Sequence, residues 1–117
     1  MNRIVFGAAL SGAMAVLAGA FGAHGASGPA ADWLRIGAQY QLLHVVAALA
    51  VLRVGSAKGP AVVFLAGGVL FAGTLYLMAL GLPRWLGAIT PLGGLLLIAG
   101  WLWLAWIAAR QSAAGST

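Results

Sequence analysis

Residues 33–52 read WLRIGAQYQLLHVVAALAVL, and the fold turns on whether this stretch crosses a membrane. Its second half is apolar apart from His44, but its first half carries Arg35, Gln39, Tyr40 and Gln41. By hydropathy alone it is the weakest span in the chain. Three neighbouring runs decide the matter. Residues 4–23 contain Ser11 as their only conventionally polar side chain, residues 61–82 only Thr74 and Tyr76, and residues 85–109 only Thr90. Each approaches or exceeds the roughly 20 residues an α-helix needs to cross the hydrocarbon core. With those three placed, Val45 to Val51 is too apolar for a loop, and the Gln and His side chains can find partners among packed helices.

The chain therefore reads as all-α, a polytopic membrane protein with a four-transmembrane-helix bundle. A single domain covers residues 1–117, with spans at about 4–24, 34–53, 60–82 and 86–109. Residues 111–117 are left as a polar C-terminal tail. Composition agrees: 63% of residues are hydrophobic, 6% are charged and the mean hydropathy is +1.05, values far outside the range of soluble globular domains. There is no Cys, which excludes disulfides, iron–sulfur clusters and thiolate zinc sites.

Counting the spans alternately puts Arg3, Arg53, Lys58 and Arg110 on one side, against Arg35 and Arg84 beside the lone acid Asp32 on the other. The positive-inside rule then sets both termini in the cytoplasm, or in the matrix of an organelle. The same cations are too scattered to form a nucleic-acid footprint, so no nucleic-acid partner is expected.

The first span competes with a signal-peptide reading, because Arg3, an apolar run and Ala18-Gly19-Ala20 resemble a cleavable leader. A retained helix is the better expectation. Its small residues Ala8, Gly12, Ala15, Gly19 and Gly22 alternate in spacings of four and three, which aligns them on one face for close helix packing. Pro91 leaves two geometries open for the fourth span: a kinked helix from Trp85, or a helix that starts at Thr90–Pro91 behind an interfacial segment.

Depth along the spans, at about 1.5 Å per residue, gathers His24, Gln41, His44, Tyr76 and Thr90 in one half of the bundle, with Tyr40 and Thr74 as secondary members. Gln41 and His44 stand three apart and Tyr40 and His44 four apart, so each pair shares a helix face, and Gln39 points elsewhere.

Four motifs carry a family resemblance. Gly19-Ala20-Phe21-Gly22-Ala23-His24-Gly25, Gln39-Tyr40-Gln41 with His44, Phe71-Ala72-Gly73-Thr74-Leu75-Tyr76 and Leu86-Gly87-Ala88-Ile89-Thr90-Pro91-Leu92-Gly93-Gly94 resemble the DUF423 family, similar to the transmembrane protein 256 group. The resemblance spans essentially the whole chain. It implies a small four-span integral membrane protein of bacterial inner membranes or mitochondria, in a family with no catalytic assignment. Family members often have Ser where this chain has Ala72 and Thr74, so a hydroxyl is kept at 74 and lost at 72.

The bland reading of the polar residues is that they hydrogen-bond helices together. His24 also suits a helix C-terminus, where a partly protonated imidazole is favoured. The sharper alternative is haem or metal binding by His24 and His44, with Met78 as a possible soft ligand. Two imidazoles with neither thiolate nor carboxylate fall short of a closed zinc site, and no cofactor is expected. Enzymatic activity is not expected either, because no carboxylate, Cys or Ser stands beside either His. A small transporter remains as an alternative, but one without the intramembrane acid that proton-coupled export requires. The expected role is a structural or accessory component of a larger membrane complex, or a homo-oligomer, whose partners are the bilayer and other membrane proteins.

Overall fold

The computed structural model describes residues 2–115. It contains α1 (Asn2–His24), α2 (Gly28–Val51), α3 (Lys58–Ala79), a short 3-10 helix (Arg84–Ala88) and α4 (Thr90–Gly115). All four α-helices are long and apolar enough to span a membrane. At about 1.5 Å per residue even the 22-residue α3 reaches about 33 Å, enough for a core of about 30 Å.

Local chemistry sets the helix ends. Ser27 is extended and Pro29 occupies the first turn of α2, where a proline lacks only an N–H that has no intrahelical partner anyway. The helix consequently begins at Gly28, about six residues before the expected start near 34. At the other end of the next helix, Gly81 takes φ 101°, donates to the Met78 carbonyl at 3.0 Å, and lets Leu82 N–H reach back to Leu77 at 3.0 Å. This paired closure ends α3 at Ala79 instead of the expected 82, and Pro83 follows it.

Pro91 lies in the first turn of α4, so the interfacial-segment geometry is the one observed and there is no kinked helix from Trp85. The segment itself is the 3-10 helix. The expected polar tail is helical up to Gly115, and residues 116–117 lie outside the described residues. Gln111 Nε2 donates to the Gly55 carbonyl at 2.8 Å and ties the last turns of α4 to the loop between α2 and α3.

Helices adjacent in sequence are adjacent in space. α2 and α3 form the centre, α1 packs chiefly on α2, and α4 packs on α3. The molecule is correspondingly long and narrow, 56 by 26 by 20 Å. In lipid, association rests on close packing and hydrogen bonds, because burying apolar surface gains little when the solvent is itself apolar.

Small residues supply that packing. The expected stripe on α1 does face α2: a Cβ at Gly19 would stand 3.4 Å from Ala38 Cβ, and one at Gly22 would stand 3.0 Å from Leu34 Cβ. Between α3 and α4, Gly67 lies under Leu97, and Gly100 lies under the Phe64 ring. Phe64 is fully buried and anchors a cluster with Ala48, Val51, Ala57 and Ala61 near the loop from α2 to α3.

The two ends differ in charge as the span count requires. Arg3, Arg53, Lys58 and Arg110 mark one end, where Arg110 lies over the Trp106 ring at 4.7 Å. At the other end Arg35 pairs with Asp32 at 3.0 Å, and Arg84 lies over Trp33 at 5.4 Å. Exposed contacts of this kind contribute little stability.

Candidate functional site

The polar side chains of the helices form three hydrogen-bonded groups in place of the single cluster expected from depth. The first joins three helices. Tyr76 Oη on α3 donates to Gln41 Oε1 at 2.7 Å, and Gln41 Nε2 donates to Ser11 Oγ on α1 at 2.8 Å, with Met14 Sδ at 3.6 Å from the same nitrogen. Gln41 is 1% exposed. A carboxamide buried so deeply needs both its acceptor and its donors used, and this arrangement uses them. Two glycines make room for it. A Cβ at Gly37 would fall 2.7 Å from Tyr76 Cε1, and Gly68 faces the α2 backbone at Gln41.

The second group centres on His44. Trp101 Nε1 can only donate, and it lies 2.9 Å from His44 Nε2, so that nitrogen must be the acceptor. The proton therefore sits on Nδ1, which donates to the Tyr40 carbonyl at 2.7 Å. His44 is thereby a neutral imidazole with both nitrogens engaged. Phe64 and Trp101 pack on its ring at centroid distances of 5.5 and 5.8 Å, while Tyr40 lies nearly parallel at 6.4 Å and contacts Phe71.

The third group joins α3 to the start of α4. Thr74 Oγ1 and Thr90 Oγ1 are 2.6 Å apart, so one hydroxyl donates to the other, and the remaining proton goes to a carbonyl on its own side, Leu70 or Phe71 for Thr74 and Leu86 for Thr90. Thr90 thus uses its hydroxyl across the helix pair rather than as a cap.

His24 belongs to none of these groups. It ends α1 in an exposed position, whereas His44 lies sixteen residues into α2, about 24 Å from the start of that helix. The expected pairing of His24 with His44 as axial or metal ligands is not what the fold builds. The cause is the early start of α2, which carries His44 past the middle of that helix, while His24 stays at the end of α1. Among the described residues no three His, Cys, Asp or Glu side chains come together. A metal at His44 would have to displace the Trp101 indole.

Two participants escape a reading by residue type. Ser11 is the one polar residue of its span, and that solitude was the available signal. Trp101 lies farther from the Arg110 end of α4 than Trp103 and Trp106 do, and an indole N–H that far into a span requires an acceptor.

Replacing His44 with leucine is expected to cost about 1–2 kcal/mol, because the Trp101 N–H loses its acceptor in hydrocarbon. In reversible unfolding from mixed micelles, the pair His44→Leu with Trp101→Phe should lose less than the sum of the single changes, since the orphaned donor is then gone. Strict additivity would show that the bond carries no coupling.

Comparison with known proteins places the chain among membrane proteins. The family model described as "Protein of unknown function (DUF423)" matches residues 18–94. The chain is 41% identical to a UPF0382 membrane protein of Staphylococcus haemolyticus, over 89% of this chain and 93% of the relative. It is 39% identical to a UPF0382 membrane protein of Haemophilus influenzae, over 90% and 92%. It is 40% identical to the UPF0382 inner membrane protein YgdD of Escherichia coli, over 80% and 79%. No solved structure matches.

Proposed function

The chain belongs to the DUF423 family, together with the UPF0382 membrane proteins, and from that premise we propose that it works by association. It serves as a structural or accessory component of a membrane complex and carries out no turnover of its own. One observation carries this reading: the interior polar groups of the helices are consumed in joining them. Gln41 binds α1 to α3, His44 binds α4, and the two threonines close the turn between α3 and α4. A nucleophile needs a neighbouring base, and a general base needs a free lone pair. His44, the one buried imidazole, offers neither in its hydrogen-bonded state. The outer faces of α1 and α4 present Phe6, Leu17, Phe21, Leu95 and Leu102, suited to lipid or to the helices of another membrane protein.

Quantitative affinity purification from native membranes, with the tagged protein at its normal level, tests the proposal. A membrane protein enriched in constant ratio to the chain is the expected result. Recovery as a lone monomer that turns over a substrate would overturn it.

The membrane in question is the bacterial inner membrane, in keeping with the Escherichia coli relative's name as an inner membrane protein. Both termini face the cytoplasm, since four cations mark their end of the molecule and two mark the other. Reporter fusions after Lys58 and Arg110 should read cytoplasmic and one after Ser27 external; the opposite pattern would reverse the orientation.

A further inference from the structure

α1 and α3 touch only lightly, because α1 packs chiefly on α2, and α3 packs on α2 and α4. A groove of about 580 Å³ runs between them and is lined by these two helices alone. Its walls are apolar, with Gly7 and Ile4 on one side and Leu65, Ala66 and Val69 on the other. Ser11 closes the deep end, and Arg3 stands at the mouth.

Gly7 differs from the glycines that bring helices together. A Cβ there would meet only Leu65 Cδ1, at 4.0 Å, so the missing side chain widens the groove and does not relieve a backbone contact. From Arg3 to Ser11 the groove runs eight residues, about 12 Å, close to the half-thickness of a core of about 30 Å. A cavity of that length, apolar along its walls and open at the membrane surface, matches one acyl chain of one leaflet.

The charge at the mouth selects the headgroup. Lys58 stands exposed one turn before Val62, on the same face of α3 that lines the groove, and helical side chains lean toward the N-terminus, which for both α1 and α3 is the mouth. Among the described residues neither Arg3 nor Lys58 has an acidic partner, since the only acid is Asp32 at the opposite end, paired with Arg35. Basic pockets between transmembrane helices recognise anionic lipid headgroups.

We infer that this groove is a binding site for an anionic phospholipid, with one acyl chain between α1 and α3 and the phosphate held by Arg3 and Lys58. The inference stands apart from the association proposed above, because it concerns a lipid and not a protein partner.

Native mass spectrometry of the delipidated full chain, titrated with dioleoyl phosphatidylglycerol or dioleoyl phosphatidylcholine, tests it. Phosphatidylglycerol should be retained about tenfold or more over phosphatidylcholine, the scale expected when two cations act near an anionic surface. The double variant Arg3→Gln, Lys58→Gln should lose that preference. Ala66→Leu, which keeps every charge and fills the exposed groove wall, should weaken both lipids. Arg110→Gln, at the same end but outside the groove, should leave the preference intact. Unfolding curves matched to wild type establish that each variant is folded, and Gly7→Leu is the alternative groove-filling change. Equal retention of the two lipids would overturn the inference. So would an Arg110→Gln effect as large as that of the double variant, or undiminished binding after the groove is filled. A disulfide between Val69→Cys residues of two copies, formed in phosphatidylglycerol bilayers, would place a second protein in the groove and overturn it as well.

Discussion

Replacing Gly93 with alanine should drive α4 away from α3 and cost about 3 kcal/mol, at the upper end of what overpacking a well-fitted interface does. A Cβ at this position would lie 2.7 Å from Phe71 Cα and closer still to the Phe71 backbone nitrogen. Side chains can rotate out of the way, but a neighbouring helix backbone cannot, so relief requires the helices to separate. Separation then strains everything the same interface holds, including the 2.6 Å contact between Thr74 and Thr90. Gly94→Ala is the control, because its added methyl would meet Phe71 Cδ1 at an ordinary 3.8 Å. That change should be within about 0.5 kcal/mol of wild type. Reversible unfolding of both variants in mixed micelles checks the expectation, and similar losses at the two positions would mean that α3 and α4 do not approach as closely as described.

Gln41→Leu should be comparably damaging, at about 2–3 kcal/mol. The change removes two hydrogen bonds between helices and leaves the Tyr76 hydroxyl without its acceptor in an interior that holds no substitute. Tyr76→Phe should be milder, near 1 kcal/mol, since only one bond goes and no donor is stranded. The double variant should therefore lose less than the sum of its parts. The measurement is the same unfolding equilibrium, followed by tryptophan fluorescence. Additive losses would show that the two side chains do not share a bond in the membrane-embedded protein.

How much of this was visible beforehand depended on the kind of information each feature needed. Four spans followed from length and hydropathy, including α2, whose polar residues are tolerated because Gln41 and His44 have partners on other helices. The start of α2 is hidden in the sequence because Ser27, Gly28 and Pro29 have loop composition, although proline in a first turn begins helices as readily as it ends them. The extension of α4 is hidden in the same way, because Gln111 and Ser112 are polar and a helix that leaves the membrane needs no apolar face there.

Within the site, residue type and depth identified Gln41, His44, Tyr76 and Thr90, and each does make a buried polar contact. The three-residue spacing that puts Gln41 and His44 on one face still leaves them about 60° apart around the helix axis. Gln41 turns toward α1 and α3 while His44 meets α4, so residues at neighbouring depths entered different groups. His24 was placed correctly at the end of its span, and the error lay in bringing His44 up to meet it.

The packing of each helix on its predecessor has a consequence for how the protein is made. A chain threaded into the membrane from its N-terminus delivers α1 first, and α2, with the lowest mean hydropathy of the four spans at 1.3, arrives when a docking surface for it is already in place. Ser11 is there to receive Gln41 before Tyr76 has been synthesised. α3 then settles on α2, and α4 on α3, so that no span has to wait in lipid for a partner still inside the ribosome. Contacts this local close small loops and cost little entropy. The exception is the bond from Trp101 back to His44, fifty-seven residues earlier, which makes it the last latch of assembly. Until α4 arrives, His44 has only the Tyr40 carbonyl of its own helix, and arrest of translation before Trp101 should leave that imidazole open to chemical labelling.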